Sequence, residues 1–334
     1  MTSRPMSTRP TTTHSVTDTE ILSVAVAQLS PALLDRAEST RRVIGAIGDA
    51  AAQGADLICF PESYLPGYPF WLSGGDGARF DDDRNKRLFA HYSDQSVTIE
   101  DGHLDGICEA LREAGMAAWL GIVERPRDRS GHSLYCSYVY IDQSGTVRSV
   151  HRKLQPTYEE RLVWSPGDGH GLVVHSLGAF TTGGLNCWEN WMPLPRAALY
   201  AQGEDLHVAG WPGNDRNTED LTPVLAKEGR SFVISACAVM RREDVRDDMP
   251  DADFVRDAIG DMPANGGSCI CAPDGTFLLA PWVGETGVKV VKIDAARVRE
   301  ARQNFDPSGH YSRPDVTQLR VDRTRQTIAT FNDG

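Results

Sequence analysis

The stretch AFTTGGLNCWENWMPLPRAALYAQGEDLHVAGW, residues 179 to 211, predicts the fold class, because a strand, a tight turn, a helix and a second strand follow one another in it. The first strand ends at Cys187, and DLHVAGW forms the second. Strands that alternate with helices are typical of α/β proteins, in which ligands bind at the carboxyl ends of the strands. Cys187 therefore lies where a functional site is expected.

Short apolar runs with the length of strands recur along the chain from Ile21. They span residues 21 to 29, 56 to 60, 117 to 124, 134 to 142, 205 to 211, 231 to 240, 266 to 273 and 288 to 294. Helical periodicity lies between some of them, at residues 33 to 54 and 104 to 115. The alternation and turn residues that begin at Leu134 indicate a hairpin. The pattern predicts a mixed sheet with helices packed outside it, in one continuous domain.

Other segments interrupt this pattern. Residues 73 to 86 and 241 to 267 are charged and rich in Gly and Pro, which predicts surface loops, with a lid or a subunit contact as the alternative. We interpret residues 1 to 20, which are rich in Ser and Thr, as a disordered leader, and residues 21 to 312 as a single domain. Residues 313 to 334 form a C-terminal tail that is either disordered or extends onto another subunit.

Composition narrows the classes of partner. The net charge of −12 disfavours nucleic acid and anionic membranes, which bind clustered Lys and Arg. No apolar run approaches the roughly 20 residues that span a bilayer. The seven cysteines have no repeating spacing, and their odd number argues against a secreted disulfide framework. These features favour a folded protein of the cytoplasm.

A nucleophilic role for Cys187 requires its thiol to be activated. The free amino acid side chain has a pKa near 8.5, so only a few per cent is thiolate at neutral pH. A helix N-terminus after a strand lowers such a pKa, and we expect the Cys187 thiol to be shifted downward and to face a cleft. The alternative is a small buried hydrophobic residue, which is the role expected for the other six cysteines.

Two further strand ends supply a base and a cation. In DLICFPESYLPGYPFW, Glu62 follows an apolar strand and enters an aromatic loop, where partial desolvation would raise its pKa into the range of a general base. In SVHRKLQPTYEERLVWSPGDG, a strand delivers Lys153, and Glu160 follows in a short helix. Each of these motifs alone is weak, because a lysine after a strand is usually solvated.

The phrases FPESYLPGYPFW, HRKLQPTYEERLVWSPGDG, GGLNCWENWMPLPRAALYAQG and GHYSRPDV resemble the nitrilase branch of the carbon-nitrogen hydrolase superfamily, in the order of that family. The resemblance implies a four-layer α-β-β-α sandwich. It also implies that Glu62 is the general base, Lys153 the cationic stabiliser, Cys187 the nucleophile and Glu160 a positioning glutamate. The implied reaction converts a small-molecule nitrile to a carboxylic acid and ammonia without a cofactor, in a homodimer or a larger spiral oligomer.

The Trp-Glu pair after the cysteine favours the nitrilase branch over an amidase, a carbamoylase or a cyanide-converting relative, which would use the same nucleophile. A catalytically silent scaffold is the alternative from another class. Aromatic residues at the edges of the motifs are candidates to bind substrate, although they could equally fill the core. They are Tyr68, Trp164, Trp188 and Trp211. The Cys-x-Cys at residues 269 to 271 has no accompanying His or second pair, so no metal site is expected.

Overall fold

A computed structural model of the chain describes residues 20 to 330 and residue 332. The leader expected over residues 1 to 20 lies outside the described residues, apart from Glu20. The strands are β1 (Ile21–Gln28), β2 (Leu57–Cys59), β3 (Ala117–Glu124), β4 (Tyr135–Ile141), β5 (Val147–Arg152), β6 (His175–Leu177), β7 (Phe180–Asn186), β8 (Leu206–Trp211), β9 (Phe232–Cys237), β10 (Val239–Met240), β11 (Ala264–Cys271), β12 (Phe277–Val283) and β13 (Gly287–Asp294). The helices are α1 (Arg36–Ala52), α2 (Trp71–Gly74), α3 (Asp83–Gln95), α4 (Asp105–Ala114), α5 (Pro193–Tyr200), α6 (Leu221–Gly229), α7 (Ala252–Ile259) and α8 (Ala296–Arg302).

The strands form two mixed sheets. The first has the order β13-β1-β2-β3-β4-β5, and the second has the order β10-β11-β9-β8-β7-β6 with β12 paired to β11. Within them, β1, β2 and β3 are parallel, as are β7, β8 and β9. The hairpin expected after Leu134 is the antiparallel pair β4 and β5.

Alternation along the strands builds the layers. Val24 and Val26 of β1 point into a core shared with Val208 of the second sheet, whereas Ala25 and Ala27 face a separate cluster that contains residues of α1 and α4. On the far side of the second sheet, other apolar residues pack against α5 and α6. The result is the α-β-β-α sandwich that the resemblance implies.

Two segments expected to be loops contain helices, so this expectation is wrong in part. Helix α3 begins within the segment 73 to 86, where the Asp82 carboxylate caps two backbone N–H groups, and α7 lies within the segment 241 to 267. Each helix buries only two residues of its apolar stripe, Leu88 and Tyr92 in α3. The charged exposed faces hide this periodicity in the sequence.

The C-terminal tail lies against its own chain. Residues 313 to 330 contain no helix or strand, but the Arg325 guanidinium donates to Asp168 Oδ1 at 3.1 Å and to the Val150 carbonyl at 3.1 Å. The backbone N–H of Gln326 donates to the other Asp168 oxygen at 3.0 Å. An extension onto another subunit therefore stays a prediction. Among the described residues, no helix is long and apolar enough to cross a membrane.

Candidate active site

Glu62 lies in a loop after β2 that touches both sheets. Its backbone N–H donates to the Trp211 carbonyl at the end of β8, at 3.3 Å. The loop passes so close to Gly121 of β3 that a Cβ there would lie 2.1 Å from the Pro61 carbonyl oxygen. The Tyr138 hydroxyl donates to the Phe60 carbonyl at 2.9 Å. These contacts hold Glu62, which is 1% exposed, between the two sheets.

Cys187 is the first residue of a 3₁₀ turn that connects β7 to α5. Its backbone φ is +46°, a left-handed conformation that side chains other than Gly and Asn adopt at a cost of about 1 to 3 kcal/mol. The side chain of Asn190 stabilises this turn by donating to the Cys187 carbonyl at 2.9 Å. His207 holds that amide in turn, with Nε2 2.7 Å from Asn190 Oδ1.

Lys153 follows β5 and connects the two carboxylates. Its Nζ lies 2.7 Å from Glu62 Oε1 and 2.7 Å from Glu160 Oε2. Glu160 sits in a 3₁₀ turn that it caps itself, because the Thr157 N–H donates to Oε2 at 2.6 Å. Its Oε1 accepts from the Tyr68 hydroxyl at 2.8 Å. Ligand atoms of Glu62, Glu160 and Cys187 lie within 4.8 Å of one another, so the structure brings the four predicted residues together.

The pKa of the Glu62 carboxyl group lies near neutral pH. Burial raises its pKa, the Lys153 ammonium opposes this, and the Glu160 carboxylate raises it further, to about 7. Burial alone would lower the pKa of Lys153, but its acidic neighbours raise it well above the usual range, so the lysine stays charged. The expectation that desolvation raises the pKa of Glu62 is therefore confirmed.

The expectation of a lowered pKa at Cys187 is wrong. Burial and the carboxylates of Glu62 and Glu160 raise the pKa of this thiol well above its ordinary value, although Lys153 and the backbone N–H of Trp188 act in the opposite direction. The side chain is only 4% exposed, and this burial is not visible in the sequence. The raised pKa favours the protonated thiol, so nucleophilic attack by this side chain would require a base.

The four aromatic candidates lie in different surroundings. The ring of Trp164 packs edge-on against Tyr68, with centroids 5.6 Å apart, and lies 5.8 Å from Lys153 Nζ. Trp211 is fully buried in the apolar cluster that includes Cys187, and its indole donates to Ser235. Trp188 is 53% exposed. Tyr68 and Trp164 are thus the two whose side chains contact the polar groups, and substrate contact by any of the four stays a prediction.

A buried pair that was not among the predicted site residues, His151 and Glu189, joins the segments that carry Lys153 and Cys187. Glu189 accepts from the backbone N–H of Leu154 at 2.8 Å and of Asn186 at 3.0 Å, next to Lys153 and Cys187 respectively. His151 Nε2 lies 3.1 Å from both carboxylate oxygens of Glu189. The signals in the sequence were the place of Glu189 in the Trp-Glu pair after Cys187 and that of His151 two residues before Lys153.

A metal ion at this site would compete with the Lys153 ammonium for the carboxylates of Glu62 and Glu160. Glu62, Glu160 and Cys187 offer oxygen and sulphur ligands at suitable separations. The Lys153 Nζ, however, contacts both carboxylates directly at 2.7 Å and neutralises one of the charges that a metal would require. The arrangement fits acid-base and nucleophilic chemistry better than metal coordination.

The sequence is similar to that of known proteins over most of its length. The sequence profile of the family described as carbon-nitrogen hydrolase matches residues 23–303. A nitrilase of Pseudomonas syringae pv. syringae (strain B728a) is 37% identical over 314 residues, which are 90% of this chain and 89% of that protein. An aliphatic nitrilase of Rhodococcus rhodochrous is 32% identical over 320 residues, 92% of this chain and 81% of the relative.

Solved structures share the fold at lower identity. The crystal structure of an amidase from Nesterenkonia sp. superposes with a TM-score of 0.61 and 20% identity, covering 85% of this chain and 94% of that one. At this identity the similarity bears on the fold alone. The layers and the sheets thus have counterparts among solved structures.

Proposed function

The chain belongs to the carbon-nitrogen hydrolase family, and we propose that it is a nitrilase, which hydrolyses an organic nitrile to the carboxylic acid and ammonia. The observation that carries the proposal is the buried ammonium of Lys153 held between Glu62 and Glu160 beside the thiol of Cys187. The nitrilases of 32% and 37% identity over most of the chain support it. In this proposal Cys187 is the nucleophile, Glu62 the general base, Lys153 the cationic stabiliser and Glu160 the positioning residue.

The first step forms a covalent bond to sulphur. Glu62 takes the thiol proton while Cys187 attacks the nitrile carbon, and the protonated carboxyl then delivers that proton to the nitrile nitrogen. The product is a neutral thioimidate. A base with a pKa of about 7 suits both halves of this transfer, because it can accept and release a proton at neutral pH.

Two molecules of water complete the reaction. The first adds to the thioimidate carbon with Glu62 as base, and the tetrahedral intermediate expels ammonia to leave a thioester. The second releases the carboxylic acid and restores the thiol. We assign the stabilisation of negative charge in these steps to the Lys153 ammonium and the backbone N–H of Trp188, both of which oppose the rise in the pKa of the Cys187 thiol. We assign Tyr68 and Trp164 to the wall beside the reacting group.

The competing activities use the same residues. An amidase, a carbamoylase or a cyanide-converting enzyme would form a thioester or a related adduct on Cys187. Partial release of the amide would occur if the tetrahedral intermediate expelled sulphur instead of ammonia. A catalytically silent scaffold would need none of the four buried groups.

The test is product analysis on benzonitrile, phenylacetonitrile, mandelonitrile, an aliphatic dinitrile and the corresponding amides. We expect acid and ammonia from nitriles, a thioimidate or thioester adduct on Cys187 in mass spectra, and no turnover by Cys187→Ala. Cys108→Ala, which changes a half-buried cysteine on α4, is the matched control and should keep full activity. Turnover of amides alone would identify an amidase, and Cys187→Ala activity above about a thousandth of the unsubstituted enzyme would contradict the covalent mechanism.

We further propose a single domain over residues 21 to 312, self-association as a homodimer or a larger spiral oligomer, and a cytoplasmic location. Exposed apolar side chains in and after the 3₁₀ turn that begins at Cys187 support self-association, since Trp191 and Leu194 are 56% and 65% exposed. The free cysteines of the described chain support a reducing compartment. Size-exclusion chromatography with light scattering measures the oligomeric state, and a monomer at all concentrations would refute self-association.

A further inference from the structure

A second cysteine lies inside the catalytic cluster. Cys136 is in β4, is fully buried, and has its Sγ 3.2 Å from Glu62 Oε1. Its backbone carbonyl accepts from the Lys153 N–H at 2.7 Å. The residue therefore contacts the proposed base through its side chain and the lysine segment through its backbone. The sequence pattern predicts only a small buried hydrophobic residue at this position.

The two oxygens of Glu62 have different surroundings. Oε1 accepts from both Lys153 Nζ and the Cys136 thiol. Oε2 is fully buried and has no hydrogen-bond partner among the described residues. A buried carboxylate oxygen without a partner is costly, and such atoms are rare unless they serve a function or a ligand. Two donors on Oε1 fix the orientation of the carboxylate and leave Oε2 available to the reacting atoms.

We propose that Cys136 is a positioning residue for the reaction: its thiol donates to Glu62 Oε1 and so makes Oε2 the oxygen that receives and returns the transferred proton. This inference rests on the proposed function. In the attack step the S–H bond of Cys187 breaks, an O–H bond forms at Oε2, and the sulphur electrons form the bond to the nitrile carbon. The same proton then leaves Oε2 for nitrogen. Cys136 keeps its own proton throughout.

The sign of the pH effect follows from the groups around Glu62. They are Lys153, Glu160, Cys136, Cys187, Tyr68, Tyr92 and Tyr138. The thiol of Cys136 stabilises the ionised carboxylate, and so it lowers the pKa of Glu62. Loss of this donor raises that pKa. The base is then ionised only at higher pH, and the acidic limb of the activity profile moves upward.

The experiment compares Cys136→Ala, Cys136→Ser and the control Cys108→Ala. For each we would measure kcat/KM against pH for the best nitrile, and the rate of Cys187 alkylation by iodoacetamide against pH by mass spectrometry. We expect Cys136→Ala to shift the acidic midpoint upward by about half a pH unit and to lower kcat about tenfold. Cys136→Ser keeps a donor and should restore most of both. Cys108→Ala should match the unsubstituted protein.

The pH profile of Cys187 alkylation separates the positioning role of Cys136 from the proposed nitrilase function. If no nitrile is turned over, the proposed function fails, but the Cys187 alkylation profile still reports whether Cys136 affects its base. Superimposable profiles of Cys136→Ala and the unsubstituted protein, in both assays, would overturn the positioning role. So would an equal fall in activity at every pH in both Cys136 variants, because a purely structural defect leaves the midpoint unchanged. Circular dichroism of each variant checks the fold.

Discussion

At the scale of single residues, the site depends on one ammonium shared by two carboxylates. Lys153 is fully buried and is paired with both Glu62 and Glu160. Breaking a buried pair leaves an uncompensated charge, which typically costs 3 to 5 kcal/mol. Each partner is therefore fixed by the others, and a change at one carboxylate affects the proton affinity of the other.

Substitution of Glu160 tests this coupling. In Glu160→Gln the negative charge that raises the pKa of Glu62 is lost, so the pKa of Glu62 falls and the acidic limb of kcat/KM moves to lower pH. We also expect kcat to fall about 10²- to 10³-fold, because Lys153 loses a carboxylate that orients it. The shift is opposite in direction to that of Cys136→Ala.

The matched control is Glu159→Gln, which changes the preceding carboxylate in the same 3₁₀ turn. It should leave both kcat and the pH profile unchanged. Full activity of Glu160→Gln with a native circular dichroism spectrum would remove Glu160 from the site.

The residues proposed to act in the reaction could be selected from the sequence because their motifs together resemble those of the carbon-nitrogen hydrolases, whereas each motif alone is weak. Glu62, Lys153 and Cys187 each lie just after the end of a strand, although β5, which precedes Lys153, is largely polar. The protonation state of Cys187 was not predictable, since it depends on burial and on two carboxylates from distant segments. The thiol contact of Cys136 likewise joins residues 74 positions apart.

At the scale of elements, the Glu189 carboxylate connects the segment after β5, which carries Lys153, to the 3₁₀ turn that begins at Cys187. Glu189 accepts from a backbone N–H on each side, at Leu154 and Asn186. Glutamine offers a single acceptor oxygen, so Glu189→Gln leaves one of these buried N–H groups unsatisfied at a cost of about 1 to 3 kcal/mol. We expect a lower free energy of unfolding together with a kcat reduced at least tenfold and a nearly unchanged KM.

Denaturant titration and steady-state kinetics measure the two effects separately. Glu219→Gln, at an exposed position before α6, is the control and should change neither. A stability loss in Glu189→Gln with an unaltered kcat would assign this residue to the scaffold and contradict its effect on the site.

The elements that the sequence predicted best are those buried on both faces. β3 and β8 are buried throughout, and their observed bounds agree with the expected runs to within one residue. By contrast, β12 was not predicted, because it is largely half-exposed and pairs with β11 in an irregular register. The short helices α3 and α7 were missed for the related reason that most of their surface is charged and exposed.

At the scale of the whole molecule, the site exists because two sheets meet. Glu62 comes from the first sheet and Cys187 from the second, and the hydrogen bond from the Glu62 N–H to the Trp211 carbonyl crosses between the strand ends. The sandwich core between the sheets therefore sets the distance between Glu62 and Cys187. No local pattern in the sequence specifies that distance, although the four motifs specify which strand ends take part.

The tail is a second whole-molecule contact, since Arg325 and Gln326 reach Asp168 across more than 150 residues. In Arg325→Ala, Asp168 loses a partly buried partner, and we expect docking of the tail to weaken by about 1 to 2 kcal/mol. Cleavage by thermolysin before Val321 and Ile328 should then accelerate about tenfold, whereas the exposed Arg320→Ala should behave as the unsubstituted chain.

Protection of the tail from thermolysin that is independent of protein concentration would indicate docking within one chain. Protection that increases with concentration would instead indicate the subunit contact expected from the sequence, and equal cleavage of all three proteins would contradict the contact with Asp168.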